Sequence, residues 1–481
     1  MAPARATKRK APSPVLSPSA ARKADRAALL AASAKGHRKR DSVASSRSFA
    51  SAPALNAPPA AIESKALLDV YVFGTGSMCE LGLGPDAKNK TVKRPRLNPF
   101  LAQEEVIDIA VGGMHAAALL KNGKIMTWGV NDQGALGRDT SWDGGLVDAD
   151  MADDSDSEAD QLNPKESTPT VVEHAQTFVK LAASDSLTVA IDADGHLWAW
   201  GTFRCSDGIL GFDAHAKVAA RPQRLVLRET FTDLACGTDH VLALSTSGKV
   251  FAWGNGQQFQ LGRRVVERTR LNGLVPREFG LKNIVAIGCG SYHSFAKDKD
   301  GRVFAWGLNQ FGQCGITMQE LGEDGAVIAV PTLIDGLAGM DIKQITGGEH
   351  HSAAITTDGA LLVWGRLDAC QLGLKRDALP STAVSDASGK PRYIPTPTPL
   401  VFDGTTKAAH IACGTHHNIL VDEQGHAWSW GFGESYQVGQ GPPGEDVEVP
   451  TRIVNTATEG KQMCLAGAGG QFSLLCALRQ P

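Results

Sequence analysis

The chain has 481 residues, 42% of them hydrophobic, which is enough for a large core, and it holds no run of about 18 apolar residues that could span a bilayer. Nine cysteines are scattered without a C-x-x-C pair, which argues against a zinc ribbon or a disulfide scaffold, and the basic, Pro/Ala/Ser-rich start lacks the apolar stretch of a secretory leader. The net charge of −3 hides an asymmetry: residues 1–50 carry twelve Lys/Arg against two acids, a balance of +10, so the remainder carries −13.

Residues 1–64 are poor in aromatic and large aliphatic side chains. They cannot bury enough apolar surface to offset chain entropy and are expected to form a disordered basic arm. The arm holds a short cluster, Lys8, Arg9 and Lys10, and a second in two parts, Arg22 and Lys23 followed by Lys35, Arg38, Lys39 and Arg40. That spacing resembles a bipartite nuclear import signal, with importin as the implied partner. The same charge would bind DNA phosphates by counterion release, without sequence preference. Ser13-Pro14 and Ser17-Pro18 are candidate phosphorylation sites that would weaken this attraction.

From residue 65 onward one phrase recurs. An aromatic residue followed by glycine closes VYVFG, KIMTWG, HLWAWG, KVFAWG, RVFAWG, ALLVWG and HAWSWG, at Gly74, Gly129, Gly201, Gly254, Gly307, Gly365 and Gly431, with spacings of 53 to 72 residues. Periods of this size mean a solenoid, a propeller or an array. Each unit reads as a β-branched run ending in glycine, a short alternating stretch, a glycine turn and the aromatic strand, which argues for about four short antiparallel strands. Seven such units predict an all-β, seven-bladed β-propeller over residues 65–481. The first unit lacks its leading strands and the segment 463–478 supplies strands without a closing phrase, so N- and C-terminal strands are expected to share one blade. Two stretches break the period: 142–160, with eight acids and no base, and the Pro/Ser/Thr-rich 380–399, both read as solvated insertions. Cys236, Cys289 and Cys413 share one repeat position and are expected to be small buried residues, and the six Trp-Gly tryptophans to pack between blades.

The copies control for one another. One position holds His115, Leu187, His240, His293, His351, His417 and Phe472; five histidines at one place are architecture, expected to bond backbone, not a metal cluster. The residue before it varies: Met114, Ser186, Asp239, Tyr292, His350, His416 and Gln471. A position that varies among matching units is available to a partner, and alternation should send this set to one face of the ring.

The segments NDQGALGRDTS (131–141), GTFRCSDGILG (201–211), CGTDH (236–240) and GGEHHS (347–352) resemble the regulator of chromosome condensation family, propeller exchange factors for the small GTPase Ran, over about residues 66–481. The resemblance implies that Asp185, Asp239 and His350 carry exchange and that Arg263 is a contact residue. It also implies that Phe203, Arg204, Cys205, Ser206, Asp207, Gly208 and Ile209 form a wedge pressing on the GTPase, with His115 and His416 completing the partner-facing set. Implied partners are Ran with GDP, GTP or no nucleotide, and nucleosome histones and DNA, in the nucleus; neither a cofactor, a metal nor a membrane is implied. Ser77, Gly312 and Phe472 depart from the family pattern, where an aspartate and two histidines are familiar. The alternative is an interaction scaffold of the same repeat family without exchange activity. An enzyme is disfavoured, because no nucleophile elbow, metal-spaced triplet or phosphate loop is present.

Overall fold

The computed structural model describes residues 54–59, 61–143, 162–317, 326–404 and 406–480. The basic clusters between Lys8 and Arg40 and nearly all of the acidic insertion lie outside them. Seven antiparallel sheets make the body, six of four strands and one of five. Their innermost strands, Val106–Val111, Phe178–Ala183, Phe231–Cys236, Ile284–Cys289, Ile342–Gly347, Ala408–Cys413 and Met463–Ala468, touch in a closed cycle, which makes a seven-bladed propeller. The composite blade closes as expected: Leu68–Thr75 pairs with Phe472–Leu478 over seven residues, from Leu68 opposite Leu478 to Gly74 opposite Phe472. Arg479 fastens this seam, donating from Nε to Asp69 at 2.8 Å and from Nη1 to the Glu104 carbonyl at 2.9 Å.

The recurring tryptophans are buried between blades. Trp128, Trp306, Trp364 and Trp430 donate Nε1–H to the carbonyls of Glu80, Gln260, Gln313 and Gln371, each in the preceding blade, at 2.9 to 3.1 Å. The glycine after the aromatic has a structural reason of its own. All seven have φ between +102° and +115°, and a Cβ there would lie 2.3 to 2.5 Å from a carbonyl oxygen. Those carbonyls belong to Gln471, Met114, Ser186, Asp239, Tyr292, His350 and His416, the variable set itself. Each also accepts the amide of the residue after the glycine, as in Asn255 N–H to Asp239 at 2.7 Å. The repeated phrase therefore clamps the backbone of the variable position and leaves its side chain free to differ.

Four expectations change. The repeat histidines bond side chains, not backbone: His115, His240, His293, His351 and His417 are 0–1% exposed, and their Nε2 atoms meet Thr188, Ser294, Ser352, Asn418 and Ser473 of the following blade at 2.7 to 3.0 Å. The hydroxyl or amide partner spends its own hydrogen on a loop carbonyl, so the imidazole is the donor through Nε2. Of the three cysteines only Cys289 is buried, whereas Cys236 and Cys413 line the central channel. The Pro-rich stretch is partly sheet: Pro391–Pro399 is a strand of the sixth blade outside Leu361–Arg366, where missing proline amides are tolerated better than inside the sheet. Finally, packed chain begins before residue 65. The Leu55 amide donates to the Thr246 carbonyl at 2.7 Å, Asn56 Nδ2 to the Ile284 carbonyl at 2.9 Å, and Ile62 is buried.

Candidate functional site

The turns leading into the second strands wall a channel space of about 120 Å³ with glycine-rich backbone and Asp185, and the variable residues follow these turns directly along the chain, which sets them on a rim around it. Beside this rim the third blade carries a hairpin, Phe203–Cys205 paired with Gly208–Gly211, with Ser206 and Asp207 as its two-residue turn. Gly208 takes φ +109° to close that turn. Arg204, Ser206, Asp207 and Ile209 are exposed, and Cys205 and Gly208 partly so.

Two carboxylates stand at the hairpin's base. Asp239 is 9% exposed, and its Oδ1 accepts the Arg204 amide at 2.7 Å. Burial pushes its carboxyl up to about 7 and the nearby Asp185 charge adds to the rise. Asp185 is raised for the same main reason, burial, with the Arg204 guanidinium opposing. Gly113 leaves room for it, since a Cβ there would lie 1.6 Å from Asp185 Oδ1. Across the mouth, Glu349 links two imidazoles, with Oε1 3.6 Å from His350 Nε2 and Oε2 3.2 Å from His416 Nε2. Burial holds His350 below the usual histidine range, while Glu349 pulls the other way. His350 also packs on Phe311 with ring centres 5.0 Å apart, and the Arg366 guanidinium lies 5.0 Å from the centre of the same ring. Arg366 is held bidentately by Asp368 at 2.6 and 2.9 Å.

The arrangement brings Asp185, Asp239 and Arg204 together and sets His350 with His416 on another sector of the rim. Three sequence assignments are corrected. His115 and Phe203 are fully buried, one bonded to Thr188 and the other in the core between blades, so neither presents its side chain to a partner. Arg263 is half-buried and donates to the carbonyls of Ala252 and Val275 at 3.3 Å. Arg138, at the same repeat position, does the same on Thr127 and Lys165, so the residue serves the blade. Sequence reasoning missed Glu349, Phe311 and Arg366; the only available signal was that Glu349 adjoins the variable position in GGEHHS.

Among the described residues one group lies within metal-ligand range, Asp192, Asp194 and His196. Asp192 spends Oδ1 on the amides of Asp194 and His196 and Oδ2 on Trp198 Nε1 at 2.8 Å. Asp422 makes the same bonds to Gln424, His426 and Trp428 without a third ligand, so this is a turn lock.

Comparison with known proteins agrees with this geometry. Protein pim1 of Schizosaccharomyces pombe is 50% identical over 418 residues, covering 85% of this chain and 75% of the relative. The guanine nucleotide exchange factor SRM1 of Saccharomyces cerevisiae is 48% identical over 421 residues, covering 85% and 86%. The crystal structure of Prp20p from Saccharomyces cerevisiae, described with its binding to Gsp1p and histones, superposes with a TM-score of 0.79 at 45% identity, covering 87% of this chain and 94% of that one. Residues 69–475 match the RCC1-like domain, and the chain belongs to that family.

Proposed function

We propose that this protein is a guanine nucleotide exchange factor for the small GTPase Ran, acting through the rim and the hairpin beside it. The observation that carries the reading is the hairpin with exposed Arg204, Ser206, Asp207 and Ile209 anchored on the buried Asp239. The name of SRM1 and the Gsp1p binding described for Prp20p support it. A small GTPase holds its nucleotide through a phosphate-binding loop, a lysine and magnesium. A factor that binds the empty GTPase better than the loaded one must, by linkage, weaken nucleotide binding by the same ratio. Each tenfold requires about 1.4 kcal/mol of differential contact, which a wedge and a few charged side chains can supply. Asp185 and Asp239 would compete with phosphate for the lysine and magnesium, and His350 and His416 would contact the GTPase on the opposite sector. No covalent bond is made or broken, and the nucleotide in excess sets the direction. The histone binding described for Prp20p and the crystal structure of Kap60 bound to yeast RCC1 favour a chromatin-associated nuclear protein whose basic arm carries import and DNA contact. The test is release of labelled GDP from Ran with and without the full chain. Acceleration is expected, and histone binding without acceleration would favour the scaffold instead.

A further inference from the structure

The hairpin 203–211 belongs covalently to the third blade, yet its polar anchors come from the fourth. At the base, the Arg204 amide donates to Asp239. At the tip, the Ser206 amide donates to Gln257 Oε1 at 3.2 Å while Gln257 Nε2 donates back to Ser206 Oγ at 2.9 Å. The Asp207 carboxylate pairs with Arg270 Nη1, which also meets Glu267 at 2.8 Å. Arg270 lies in Glu267–Leu274, a 3-10 segment inserted before the outer strand of the fourth blade. Between hairpin and segment is a gap of about 290 Å³ bordered by Cys205, Leu210, Phe259 and Val265. Polar contacts bridge that gap at the tip. An isolated two-stranded hairpin is marginal in water, so what fixes its angle is what holds it from outside.

We infer that Gln257 and Arg270 are positioning residues that hold the hairpin at its working angle. The inference rests on the exchange-factor reading, because a wedge that yields transmits no differential contact to the GTPase. Arg270 and Gln257 need not touch the partner.

The test uses the full-length protein with Arg270→Met, Gln257→Ala and both together. Hydrogen–deuterium exchange of amides 204–209 is read in the free protein, and GDP release from Ran at saturating GTPase. Each single change should speed hairpin amide exchange about two- to fivefold, the worth of one exposed contact, and slow GDP release by a similar factor. Arg270→Lys should restore part of both. Arg268→Met removes the same charge from an exposed neighbour that makes no hydrogen bond or ion pair to the hairpin, and should move neither readout. Unchanged hairpin amides in the double variant would overturn the proposal, as would faster amides with unaltered release. Equal slowing by Arg268→Met would assign the effect to the lost positive charge and not to the clamp, and would also overturn it. If the wild-type protein fails to accelerate release, the function reading falls and takes the positioning role with it, whereas the amide measurement still reports the clamp on its own.

Discussion

At the residue scale, the histidine position obeys a pairing rule across blade junctions. Where it holds histidine, the residue one beyond that position in the next blade is Thr188, Ser294, Ser352, Asn418 or Ser473. Where it holds Leu187 or Phe472, the corresponding residues are Val241 and Ala116, and each pair shares a core cluster. The Phe472 departure is thus matched by its neighbour. His293→Phe should cost about 1–3 kcal/mol by removing the donor to Ser352. Adding Ser352→Ala should recover part of that, since Trp364 Nε1 still donates to the Gln313 carbonyl. Urea unfolding reads the difference, and a double variant no more stable than the single would refute the rule. Burial holds the rings neutral, His115 down to about 4 and His240, His351 and His417 to about 3. Because the folded values are depressed, the stability from these rings is present above about pH 6.5 and lost as pH falls through about 4 to about 3. Asp239 has the opposite sign: its value is raised, so the cost of its charge grows as pH climbs from about 4 through 7. If the charged carboxylate does the work, GDP release should rise with an apparent pKa near 7. Asp239→Asn should be slow and flat across that range, and an unaltered profile in the variant would remove Asp239 from the mechanism.

At the scale of the element, the Trp-Gly phrase couples fold to rim. Gly307→Ala would force a Cβ into φ +107° and to 2.5 Å from the Tyr292 carbonyl. The left-handed conformation alone costs about 1–2 kcal/mol, and the contact adds to it. Thermal unfolding should show a clear loss, with Tyr292 on the rim displaced; a variant as stable as wild type would mean that the strand start shifts freely. The strand pattern and most strand positions were legible in the sequence because alternation and turn glycines act locally. The strand Pro391–Pro399 was not, since proline content reads as loop until a neighbouring strand supplies its pairing. The bonds of Arg263, given a contact role by the resemblance, likewise became visible only with Ala252 and Val275 placed beside it.

For the whole molecule, closure joins residues about 400 apart: Leu68–Thr75 with Phe472–Leu478, and Asp69 with Arg479. Deleting residues 472–481 would strip the pairing from Leu68–Thr75, leave an open edge at the composite blade and should abolish cooperative unfolding, checked by calorimetry. Deleting residues 1–50, with their +10 balance, should weaken salt-sensitive DNA binding and leave GDP release intact. A loss of release on that deletion would tie the arm to the exchange step.

The ring, its seven units, the shared closing blade and the separation of repeated from variable positions were all legible along the chain, because period, alternation and turn chemistry are written in residues close to one another. Which side chains are buried and which pair with one another emerged only once the blades were assembled. Phe203 and His115 turn inward, Asp239 is buried under the Arg204 amide, and Glu349 spans His350 and His416. The physical reason is that these fates depend on neighbours contributed by other blades, tens of residues away, and no local pattern encodes which of them will arrive.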